Sequence, residues 1–149
     1  MDFTYIRSTT CGVLLLFGAT MVVAQEPSNL GELLDKGAKR LDAAELKALI
    51  SGSTSKGTTY GGRLDMETSY AADGSAAGRF WGGHPEMPPF YKGTWSVNEQ
   101  GQLCIDYLAN ERSIGRMKGC GWWYSLNNVY YIAASEDRSA VVRTRKIQR

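Results

Sequence analysis

Thiols, one imidazole and a few carboxylates are the side chains here that could do chemistry. The chain carries Cys11, Cys104 and Cys120 and a single histidine, His84. Cys104 stands in QLCIDYL and Cys120 in KGCGWWYSLNN. That spacing is not C-x-x-C, so a thioredoxin-like redox pair is excluded. One histidine leaves a Cys/His zinc site short of ligands. A disulfide remains, and it requires an oxidising compartment.

The N-terminus supplies that compartment. CGVLLLFGATMVVA is an apolar run after MDFTYIR, and Val22 and Ala24 stand where a signal peptidase reads small residues. The pattern predicts a cleaved signal peptide over residues 1–24 and a single β-rich domain over residues 25–149. Cys11 leaves with the leader. Its place at the start of the apolar run, not the end, argues against a lipoprotein. Cys104 and Cys120 then pair, and the loop they close is worth roughly 3 kcal/mol. No other run is long enough to span a bilayer, so no stable membrane span is expected after cleavage. The expected location is periplasmic or secreted.

Catalysis is poorly provided for. His84 lies in GGHPEMPPF, a proline-rich loop, and no G-x-S-x-G elbow accompanies it. A copper site from His84 with Met66, Met87 or Met117 would need methionines that are clustered, and these are not. Asp65 and Glu67 would share a strand face, but that face reads as solvated. Asp106 reads as the cross-strand partner of Lys118. No catalytic residue, metal or cofactor is expected. The net charge of +2 is too small to imply nucleic acid as a partner. In the C-terminal tail, Arg143, Arg145, Lys146 and Arg149 alternate with Val142, Thr144 and Ile147. This predicts an edge strand protected by charge.

Aromatic residues are the remaining resource. Adjacent rings such as Trp122–Trp123 and Tyr130–Tyr131 must point to opposite faces of a strand. Rings left over after a core is filled could form a sugar platform or the wall of an apolar cavity. Trp81, Trp95, Trp122 and Trp123 are the ligand-binding candidates.

Short helices and strands must position these groups. SNLGELLDKG predicts a helix capped by Ser28 and stopped at Gly37. LDAAELKALISG predicts a second, with Asp42 and Glu45 as a capping box, Leu41 and Leu46 as a staple, and Gly52 at its end. From about residue 57 the period becomes two. Hairpins are predicted around Asp73-Gly74, Gly101 and Asn127-Asn128. A two-residue loop at Asp73-Gly74 would set Tyr70 opposite Ala77 and Met66 opposite Trp81. LCIDYLANERSIGRMKGCGWWY predicts a further hairpin, and the one around Asn127-Asn128 sets Tyr124 against Tyr131 and Trp123 against Ile132. Opposing Cys104 and Cys120 places Asp106 across from Lys118. The result is about seven antiparallel strands. The expected fold class is mainly β: a small antiparallel β-barrel or strongly curved meander, one or two short N-terminal helices, and the Asp42 helix plugging one end.

The order ALISG, then KGTWSV…GQLC, then GCGWWY resembles the secreted bacterial family known as domain of unknown function 995. The similarity covers roughly residues 41–134. It implies an exported β-rich domain with one disulfide and lends no catalytic residue. A looser likeness to lipocalin-type barrels rests on KGTWSV.

The functional expectation is an exported, non-enzymatic binding module for an unknown small molecule, a sugar or an apolar ligand. The alternative is a protein-interaction factor, such as an inhibitor of an envelope hydrolase with GGHPEMPPF as the inserting loop.

Overall fold

The computed structural model describes residues 25–59, 62, 64–82, 90–108 and 116–149, with the side chains of Arg116 and Met117 left out. The expected signal peptide, His84, Met87 and most of the GGHPEMPPF loop lie outside the described residues.

Local rules build the N-terminal part. Helix α1 (Leu30–Asp35) is capped by Asn29, whose side chain accepts from the Glu32 backbone N–H. Ser28 is not the cap. It sits one residue earlier and binds the Glu32 carboxylate. Strand β1 (Lys39–Arg40) follows. Helix α2 (Ala43–Ile50) has both halves of the Asp42–Glu45 capping box. Both helices are too short to persist alone, so tertiary contacts must hold them. Leu30 and Leu33 of α1, and Leu46 and Ile50 of α2, are fully buried.

Eight further strands follow: β2 (Ser53–Thr58), β3 (Asp65–Tyr70), β4 (Ser75–Trp81), β5 (Phe90–Val97), β6 (Gln102–Leu108), β7 (Arg116–Leu126), β8 (Val129–Ala133) and β9 (Val142–Gln148). Each pairs antiparallel with the next. Pairing of β9 with β2, at Ser55↔Ile147 and Gly57↔Arg145, closes the circle. The fold is an eight-stranded up-and-down barrel with β1 added against β7. Alternation in the sequence picks out seven of the eight barrel strands. STSKGT escapes because its inward residues are Ser53, Ser55 and Gly57, which carry no apolar signal.

Closure overturns one expectation. The cationic tail strand β9 is not an edge, since β2 and β8 flank it. A second correction concerns the β3–β4 hairpin. Ala71 and Ser75 bracket a longer turn, with Gly74 at φ 88°. Tyr70 therefore pairs with Ala76 and Met66 with Phe80. A slip of one residue exchanges the faces of a strand. Phe80 points inward, and Trp81 is outside. The other registers stand as expected: Cys104↔Cys120, Asp106↔Lys118, Tyr124↔Tyr131 and Trp123↔Ile132. Cys104 and Cys120 form a disulfide. Asn127 and Asn128 both adopt positive φ at the β7–β8 turn.

Two apolar clusters result. The inner one fills much of the barrel with Tyr70, Phe80, Tyr91, Trp95, Tyr107 and Trp123, and Leu46 and Ile50 of α2 join it at one end. The outer one lies on the far face of β7–β9, where Leu30 and Leu33 of α1 cover Trp122, Tyr124 and Tyr131.

Candidate functional site

The barrel interior is not filled throughout. A cavity of about 400 Å³ lies inside it, within the range of small-molecule sites. Apolar side chains make most of its lining, among them Met66, Phe80, Ile105, Trp123 and Ile132. Its polar lining includes Tyr70, Tyr107 and Arg145, with Thr59 and Lys118 nearby. No Asp or Glu is among the described lining residues.

Register explains how a guanidinium comes to sit there. Gly57 on β2 pairs with Arg145 on one side and Met66 on the other. A Cβ at Gly57 would overlap the Arg145 side chain and the Thr144 carbonyl. Glycine therefore leaves a slot across which Arg145 lies. Its Nη1 donates to the Thr144 carbonyl at 2.9 Å, and its Nη2 reaches the Met66 sulfur at 3.6 Å. Arg145 is only 5% exposed. A glycine within a strand marks such a close approach.

Inward alternation on β3, β5 and β6 supplies a phenol cluster. Tyr91 stacks on Tyr107 with ring centroids 4.8 Å apart, and Tyr70 meets Trp95 edge-on. Thr68 is hydrogen-bonded to the Tyr91 hydroxyl, which also donates to the Glu67 carbonyl at 3.2 Å. The Tyr107 hydroxyl is buried and has no hydrogen-bond partner among the described residues. Burial pushes the phenols of Tyr70, Tyr91 and Tyr107 above their ordinary value. The nearby Tyr70 raises Tyr107 further, whereas Thr68 pulls Tyr91 down. All three are neutral donors at physiological pH, as the cost of charging a buried phenol requires.

One side of the cavity follows an incomplete seam. Strand β7 is paired with β6 from Arg116 to Trp122, but with β8 only from Trp122 onward. Residues 116–121 have no partner strand on the β8 side among the described residues. Lys118, Gly119 and Cys120 in this stretch are exposed and border the cavity, Gly119 on the inner face opposite Ile105 and the other two on the outer face. A Cβ built at Gly119 would meet nothing within 4 Å.

The four tryptophans named from sequence are dispersed. Trp123 lines the cavity. Trp95 is buried beside Tyr70 and donates its indole N–H to the Ala71 carbonyl at 2.8 Å. Trp122 belongs to the outer cluster, with the Arg40 guanidinium 4.7 Å over its ring. Trp81 is 42% exposed, and Arg79 lies over it at 5.4 Å. Arg145, Tyr70 and Tyr107 were not among the sequence candidates. Gly57 in mid-strand, and the shared parity of Arg145 with Ile147, are the signals that point to an inward arginine.

Asp106 and Lys118 are directly opposed across β6 and β7. Asp65 pairs with Trp81, and Glu67 holds Lys56 at 3.0 Å and Arg79 at 3.6 Å. No group of three or more metal-ligating side chains gathers among the described residues. No helix among them is long and apolar enough to cross a membrane.

The model of a family described as "Protein of unknown function (DUF995)" matches residues 13–142, which is more than half of the chain, and the chain belongs to that family. No curated protein matches it.

Proposed function

We propose that this member of the DUF995 family is an exported, non-enzymatic binding module that holds an apolar small molecule inside its barrel. The observation that carries the reading is the cavity of about 400 Å³ in the lumen, walled by apolar side chains and furnished with a few buried polar groups. A barrel selected for stability alone would fill that space, because each void forfeits packing contacts. The Cys104–Cys120 disulfide supports a location outside the reducing cytosol.

Native mass spectrometry of the non-reduced protein, purified from its export compartment, tests the reading. A species lacking residues 1–24, with its disulfide and an extra mass that departs on denaturation, is the expected result. A protein that stays bare after incubation with a panel of apolar and sugar ligands would overturn it.

One observation favours a second reading, a protein-interaction factor. Trp81, Phe90 and Leu108 are exposed on neighbouring strands β4, β5 and β6. A pull-down from envelope extract that depends on those three residues would support it.

A further inference from the structure

The composition of the lumen narrows the ligand. We propose that the cavity takes an amphiphile with one anionic head and an apolar tail, and that Arg145 holds the head. The inference rests on the lumen being the binding site proposed above.

Three observations on the lining lead there. Arg145 is a permanent cation placed almost wholly out of water, at 5% exposure. A guanidinium in that setting attracts an anion far more strongly than one at the surface, because little solvent screens it. Its planar donor set suits the paired oxygens of a carboxylate or phosphate. Second, no Asp or Glu stands among the described lining residues, and Lys118, which borders the cavity, lies on the outer side of β7 opposite Asp106. An anion seated beside Arg145 therefore meets no repelling carboxylate among the described lining residues. Third, Tyr107 adds a buried phenol hydroxyl that meets no group at full hydrogen-bond geometry among the described residues, with the Tyr70 and Thr68 hydroxyls close by. Phenols stay protonated in this environment and can donate to an oxygen acceptor. Away from these donors the wall is Phe80, Leu103, Ile105, Ile132 and the ring of Trp123, which offers a hydrocarbon tail extensive apolar contact. A sugar, needing many polar partners, fits this wall poorly.

The test compares head groups at constant tail on the full, disulfide-intact protein. Dodecanoate, dodecyl phosphate and dodecanol are titrated below their aggregation limits, with intrinsic tryptophan fluorescence and calorimetry as readouts. The uncharged fluorophore N-phenylnaphthylamine serves as a general apolar probe. Either anion is expected to bind on the order of 10- to 100-fold more tightly than the alcohol, the scale of a charge-assisted hydrogen bond. The tighter of the two identifies a carboxylate or a phosphate as the natural head. Shortening the tail should weaken binding about fourfold per methylene.

Arg145→Met should abolish the preference for the anion, bringing both anions to the affinity of dodecanol for the same variant. Gly119→Leu, which fills the open space beside Ile105 without touching Arg145, should weaken all three ligands together. Equal affinity for anions and alcohol would overturn the anionic head and leave the lumen site intact. An anion preference that survives Arg145→Met would overturn the role of Arg145. Failure of every ligand and of the apolar probe would overturn the binding module itself.

Discussion

Trp122 and Trp123 are neighbours in sequence, yet they belong to different parts of the molecule. Trp122 faces outward beneath α1, in a cluster whose buried side chains are Leu30, Leu33, Tyr124, Tyr131, Ala133 and Val142. Trp123 faces inward, where apolar side chains share the space with Arg145, three phenols and a void. The outer cluster does what a core does: it removes apolar surface from water and fastens a six-residue helix to the barrel. On the inner face a cation is buried and space is left open, and both features cost stability. The contrast separates a surface built for holding the fold from one built for holding a ligand.

High pH should have the largest effect, acting on the inner phenols and also on Tyr124 and Tyr131 of the outer cluster, which burial raises too. Tyr70, Tyr91 and Tyr107 have phenol pKa values raised by burial in the folded state. A group raised in this way contributes its full stabilisation below its unfolded pKa, near 10 for tyrosine. That contribution is lost as pH climbs past this value towards the folded pKa. Melting temperature should therefore fall steeply above about pH 10. The absorbance of the ionised phenols should rise together with loss of the fold. Ionisation of all tyrosines while the barrel stays folded would contradict the burial described here.

Truncation compares the two faces directly. Leu33→Ala removes a fully buried side chain from the outer cluster and should cost about 2–5 kcal/mol. Ile105→Ala, at the edge of the existing cavity, should fall at or below the low end of that range, since its neighbours are already partly missing. Denaturant titration of both variants measures the difference. Equal losses would mean that the lumen is packed as tightly as the outer cluster.

The staple between β6 and β7 comes next. Cys104→Ser should lower stability by roughly 3 kcal/mol in the oxidised protein, through the freedom returned to the unfolded chain. Because the disulfide projects on the opposite side of β6 from Ile105 and Tyr107, ligand affinity should change little at temperatures where the variant stays folded.

The smallest effects have opposite signs at two inward glycines. Gly57→Ala forces a methyl into the Arg145 side chain and the Thr144 carbonyl, and should cost about 1–3 kcal/mol. Gly119→Ala meets open space and should gain about 0.5 kcal/mol by stiffening the unfolded chain. A loss at Gly119 comparable with that at Gly57 would mean that the space beside Ile105 is not open.

Short-range rules were readable wherever a local motif completes itself. Asp42 with Glu45, the Asn127-Asn128 turn and the opposed cysteines each specify their own geometry within a few residues or across one hairpin. The register they imply carried over to Tyr124↔Tyr131 and Asp106↔Lys118. Errors arose where one residue or one distant strand decides. A three-residue loop between Ala71 and Ser75, in place of two residues, moved Trp81 from the inner face to the outer. Strand β2 was illegible because its inward side chains are Ser53, Ser55 and Gly57. These are small enough to admit Tyr70 and Arg145, and too polar to carry an alternating signal.

By itself the sequence determined the class of the fold, the two helices, the order of the hairpins and the disulfide, because each rests on contacts between near neighbours along the chain. Only the tertiary structure decided that β9 meets β2. That pairing joins segments almost a hundred residues apart, and no local preference encodes it. It turned a charged tail into a barrel wall, carried Arg145 over Gly57 into the interior, and so placed a cation inside a cavity that periodicity alone presents as solvent-facing.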